Sequence, residues 1–80
     1  MIPTAVKSLG DDVELRIGWA TWDEGNFKER SIKFCYRKNG RIPRTAPEVP
    51  IDRLVDMVVF ALREKELGPE GVRRLKAALR

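Results

Sequence analysis

Val13, Leu15, Ile17 and Trp19 are apolar at every second position, with Glu14, Arg16, Gly18 and Ala20 between them. This alternation predicts a half-buried strand over about 12–22 whose odd residues face the core. Ile32, Phe34 and Tyr36 alternate in the same way with Ser31, Lys33, Cys35 and Arg37, which predicts a returning strand over Phe27–Lys38. Trp22-Asp23-Glu24-Gly25-Asn26 lies between them as a turn in which Gly25 and Asn26 suit positive φ. The pattern thus predicts an antiparallel hairpin over about 12–38, with Ile17, Trp19 and Phe34 buried on one side. Asn39-Gly40 is a hairpin-turn dipeptide. It sends the chain into a short edge strand, Arg41–Thr45, where Pro43 is tolerated because an edge strand can lack a ladder donor. A fainter alternation around Thr4–Ser8 allows a fourth strand.

The period changes near Pro50. Ala46-Pro47-Glu48-Val49-Pro50 reads as an extended connection, because a residue that precedes proline avoids the α region. Ile51, Leu54, Val55, Val58, Ala61 and Leu62 then fall on one helical stripe and predict a helix over about 51–66. Asp52 complements its amino-terminal dipole, Gly68 suits its carboxy-terminal cap, and Leu54 packs on the sheet. A short second helix over about 69–79 carries Val72, Leu75 and Leu79. Met57, Val59 and Phe60 widen the first helix's apolar surface beyond the roughly 100° that one sheet covers. Either the second helix folds over this excess or a second copy of the chain does. The fold class is α+β, a single domain over 1–80: a small curved antiparallel sheet of three to four strands, packed by the carboxy-terminal helix.

Composition narrows the means of stabilising such a chain. Eighty residues bury only about 60–65% of their unfolded surface. Cys35 is the only cysteine and histidine is absent, so neither an internal disulfide nor a zinc site can help. Association remains, which points to a homodimer through Met57, Val59 and Phe60. A lone thiol fits a reducing compartment, no secretory leader is apparent, and the longest apolar run, Met57–Leu62, is far short of the roughly 20 residues of a membrane span. The expectation is a cytoplasmic protein without membrane contact, cofactor, metal or evident small-molecule substrate.

The charge is uneven. Residues 28–44 hold seven of the sixteen basic residues and one acid, a local +6 in a chain of net +4, which leaves the remaining 63 residues at −2. A confined basic excess interleaved with aromatics is the footprint of a surface that meets a polyanion; the plainer alternative is a solvated hairpin whose cations blunt a sheet edge. The even residues of the first strand and odd residues of the second gather Arg16, Lys33 and Arg37 on one face, with Ser31 and Cys35 among them. Gly18 and Ala20 would leave that face low enough for a base or ribose to approach. Trp22 either stacks on a base or plugs the end of the hairpin. Lys28, Lys38, Arg41 and Arg44 extend the candidate interface. Arg73, Arg74, Lys76 and Arg80 in the second helix either extend it too or complement that helix's dipole.

No enzyme chemistry competes. Cys35 lacks a histidine base and reads as a packed or surface thiol. Asp11-Asp12, Asp23-Glu24 and Asp52 with Asp56 form no catalytic or metal-binding pair, and no phosphate-binding glycine loop is present. The expected function is binding of single-stranded or non-duplex DNA or RNA by the basic sheet face, an accessory role in transcription or replication. The alternative is a protein-interaction module, a small regulatory subunit that docks through Met57, Val59 and Phe60.

The order Ile32-Lys33-Phe34-x-Tyr36-x-x-Asn39-Gly40-x-Ile42-Pro43, followed by Ile51 and a long helix, resembles the layout of the PC4-like transcriptional coactivators. The resemblance spans roughly residues 13–66. Ser31-Ile32-Lys33 stands where that family has an Asp-Ile-Arg-like triplet, and Tyr36, Gly40 and Pro43 fit its aromatic, turn and proline. Ala46–Ile51 replaces the family's Lys-Gly-Ile-x-Leu entry into the helix, and the second helix is additional. The resemblance implies four curved strands, one main helix, a dimer and a single-stranded nucleic-acid ligand.

Overall fold

The computed structural model describes residues 1–37, 40–41 and 47–80. Four strands form one antiparallel sheet in the order β1-β2-β3-β4: β1 (Ile2–Gly10), β2 (Val13–Trp19), β3 (Arg30–Tyr36) and β4 (Glu48–Pro50). Helices α1 (Ile51–Arg63) and α2 (Gly68–Ala78) follow. The class is α+β, as the two periods in the sequence require. No helix among the described residues is long and apolar enough to cross a membrane.

The central pairing follows the alternation. Leu15 lies opposite Phe34, Ile17 opposite Ile32 and Val13 opposite Tyr36, so these residues share one face. Glu14 opposite Cys35, Arg16 opposite Lys33 and Gly18 opposite Ser31 make the other. The amino-terminal strand is longer than the faint pattern around Thr4–Ser8 suggested: β1 runs for nine residues along β2. It turns through Asp11 and Asp12, both at positive φ (49° and 61°). Gly10 pairs with Val13, so these two aspartates are a two-residue hairpin turn of the mirror-image type, which carries the right-handed twist of the strands it joins.

β2 stops at Trp19 rather than about residue 22, because Thr21–Asp23 forms a turn of 3₁₀ helix. The loop back to β3 is organised by Asp23. Its buried carboxylate accepts the backbone N–H groups of Lys28 at 2.7 Å and Glu29 at 3.0 Å. Those two bonds hold its carboxyl below the usual aspartate range. Glu24, Gly25 and Phe27 take positive φ here, and Asn26, expected to, does not. The amide of Asn26 instead donates to the Asp23 carbonyl oxygen at 2.8 Å.

β4 corrects the expected connection over 46–50, since Glu48, Val49 and Pro50 pair with Lys33, Ile32 and Ser31. The edge strand expected over Arg41–Thr45 falls, apart from Arg41, outside the described residues. α1 ends near Arg63, earlier than residue 66, and Gly68 is not its cap. Lys65 adopts φ 61°, its N–H donates to Leu62 O, and Glu66 N–H donates to Ala61 O. This pair of bonds satisfies the last carbonyls of the helix, and Gly68-Pro69 opens α2 instead.

The core differs most from expectation. Among the described residues, Ala20 and Cys35 are the only buried apolar side chains. Ile17, Trp19 and Leu54 are half-buried, and Phe34 is 53% exposed. Strand parity marked the face of Ile17, Trp19 and Phe34 as the core side, yet the buried residues of β2 and β3, Glu14, Gly18, Ser31 and Cys35, all lie on the other face. α1 springs directly from β4 and packs on β3 and β4, while Phe34 and Tyr36 farther along β3 stay exposed. α2 makes no comparable packing against another element among the described residues.

Candidate nucleic-acid interface

The alternation predicted that Arg16 and Lys33 share a face, and the register sets them directly across from one another. Arg37 joins them through Glu14, one of the most buried polar residues of the chain. The Glu14 carboxylate accepts from Arg16 Nε at 3.1 Å and from an Arg37 terminal nitrogen at 3.0 Å. The hydrogen bond from Arg16 holds the Glu14 carboxyl below its usual range against the opposing effect of burial, and the charges of Arg16 and Arg37 add to it. Each guanidinium keeps further N–H donors, since it presents five, and Lys33 makes no ion pair among the described residues. The result is a face with three cations around one carboxylate. Cys35, completely buried, lies within it opposite Glu14 as a packed thiol.

Gly18 does not offer the open approach expected of it. β1 passes directly over its position: a Cβ there would overlap the Ile2 carbonyl and come within 2.7 Å of Pro3 Cα. Ala20 is likewise buried. The low ground beside Arg16 is filled by backbone.

Trp22 stands beyond the end of β2, 44% exposed. It borders an open cleft of about 530 Å³ with Lys28, Glu29, Arg30, Pro50, Ile51, Asp52 and Arg53. Trp22 and Lys28 thus come together, as the candidate interface required, but at the opposite end of the sheet from Arg37. Arg37 N–H bonds Asp12 O, whereas Arg30 pairs with Trp19. The seven residue steps from Arg30 to Arg37 span about 23 Å of extended chain. Arg30 belongs by register to the apolar face, where its guanidinium lies 4.4 Å from the Trp19 ring centre and Phe27 meets that ring edge-on at 5.8 Å. Arg41 is exposed; Lys38 and Arg44 lie outside the described residues. In α2, Arg73 is held by Glu70.

Sequence reasoning missed three members. Glu14 sits two residues from Arg16 on the same side of a strand, a spacing that could have flagged the pair. Arg30 lay inside the basic segment but was not singled out. Arg53 had no such signal, because only the passage from β4 into α1 brings it beside Trp22. Met57, Val59 and Phe60, the expected interface residues, are all exposed at 52%, 37% and 68%. The second helix therefore does not cover them within one chain. No protein-family model matches this chain, and neither a curated protein nor a solved structure matches it.

Proposed function

We propose that this chain binds single-stranded or non-duplex nucleic acid in the cytoplasm, as an accessory in transcription or replication, in the manner its resemblance to the PC4-like coactivators implies. Arg16, Lys33 and Arg37 meet phosphates on one sheet face, and Trp22, with Lys28 beside it, stacks a base at the end of the sheet. The observation that carries this reading is the direct opposition of Arg16 and Lys33 on the face that Arg37 shares. Cations in a row with an exposed aromatic nearby are what a flexible strand needs: salt-sensitive contacts along the backbone and about 1–3 kcal/mol of stacking per base. In this reading the chain works as a homodimer in which at least one of Met57, Val59 and Phe60 is covered by the partner.

The test is fluorescence anisotropy with labelled single- and double-stranded oligonucleotides at two salt concentrations. Tighter binding of the single strand, weakening as salt rises, is expected. Absence of binding at low salt would end this reading. The exposure of Met57, Val59 and Phe60 would then favour the second one, a small regulatory subunit that docks on another protein through α1.

A further inference from the structure

The accessible surface of the chain is 6757 Å², whereas a folded monomer of 9.2 kDa exposes about 4,900 Å². Its radius of gyration is 14.3 Å, against about 11.6 Å for a compact 80-residue domain. The surplus, about 1,850 Å² per chain, includes large apolar side chains in two places. One is the odd face of the sheet, where Phe34 and Tyr36 are 53% and 46% exposed and Leu15 beside Phe34 is half-buried. The other is α1, where Met57 and Phe60 on one flank and Val55 on the other are more than half exposed.

We infer that a second copy of this chain covers both surfaces, so that the hydrophobic core is completed only between two chains and folding and association are one event. This extends the dimer from three helix residues to the sheet. It stands independently of any nucleic-acid ligand. Two chains hold about 3,700 Å² of surplus surface, inside the 2,000–5,000 Å² that obligate homodimers bury. The occupant must be present whenever the chain is folded, because two buried apolar residues among those described do not offset the ordering entropy of a domain. Only another copy guarantees that. Two-fold pairing also lets the sheet face of each chain meet the helix of the other in reciprocal contacts. A nucleic acid fits this surface poorly: Arg16 and Lys33 lie on the opposite face, and Lys7 and Arg30 are the cations that the register places on this one.

Sedimentation equilibrium and thermal melts from about 1 to 100 µM, without oligonucleotide, test the inference. A dimer mass is expected, with a melting midpoint that rises by about 3–6 °C for each tenfold increase in concentration. Phe34→Asp and Phe60→Asp should each raise the dissociation constant at least about thirtyfold. Leu79→Asp, at an equally apolar position 88% exposed in α2, should leave the mass unchanged. The wild-type melts carry the test even if the aspartate variants do not fold. A folded monomer whose midpoint is independent of concentration overturns the inference, as does an assembly larger than a dimer. So does a Phe34→Asp protein that stays dimeric but loses oligonucleotide binding, since the sheet face would then belong to bases. Failure of the wild type to bind oligonucleotide touches only the nucleic-acid reading.

Discussion

Replacing Lys33 and Arg37 together by alanine removes two of the three cations from the face around Glu14, and the structure makes the size of the effect calculable. Each phosphate contact to a single strand contributes about 0.7 to the slope of log affinity against log salt, so the double variant should flatten that slope by about 1.4. A fourfold rise in salt, from about 50 to 200 mM, then costs the variant about sevenfold less affinity than it costs the wild type. Arg16 stays anchored on Glu14 through its own bond, so the face keeps its shape and the loss is one of charge. Trp22→Ala acts differently. It removes a stacking platform and should weaken binding by about 1–3 kcal/mol, roughly 5- to 150-fold, with the slope nearly unchanged. Anisotropy titrations at four or five salt concentrations read both quantities. Arg73→Ala with Arg74→Ala, both exposed in α2, is the control of equal charge. If that control flattens the slope as much as Lys33 and Arg37 do, and Trp22→Ala changes nothing, attraction is generic to a basic protein and the face has no special role.

Other outcomes concern the scaffold. Gly18→Ala pushes a methyl into the Ile2–Pro3 backbone and should destabilise by about 1–3 kcal/mol or more; an unchanged thermal midpoint would contradict the close crossing of β1. Glu14 and Asp23 both have carboxyls held below their usual values of 4.5 and 3.8. They contribute stability that is complete above those values and is lost as pH falls through the lower folded ones. Melts at pH 7, 5 and 3 should therefore show most of the loss between pH 5 and 3, and Asp23→Asn should reduce that loss while lowering stability at pH 7. Glu14→Gln removes the one carboxylate amid the basic face, so oligonucleotide affinity at low salt should rise; a fall would mean that the orientation of Arg16 and Arg37 matters more than the charge.

Much of the sheet was written in local pattern. Strict alternation at Val13–Trp19 and at Ile32–Tyr36 excludes every antiparallel register that splits these apolar residues between two faces, because a slip by one residue would turn them to the other side. The same parity places Arg16, Lys33 and Arg37 on one face. The helical spacing after Pro50 defined α1 for the same reason, its stripe being a property of the chain's own period. What lay beyond local pattern was the covering of each face. Phe34 and Cys35 are neighbours, and alternation alone marks Phe34 as core; yet Cys35 is buried and Phe34 is exposed. Burial depends on what lies against each face, and here the start of β1 crowds Gly18 while α1, tied to a three-residue β4, packs only on β3 and β4 among the main contacts. The Trp22 cleft was equally out of reach, since it joins the loop after β2 to the first turn of α1, almost thirty residues along the chain. Side-chain periodicity carries faces and registers. The distances between faces come only from the folded backbone.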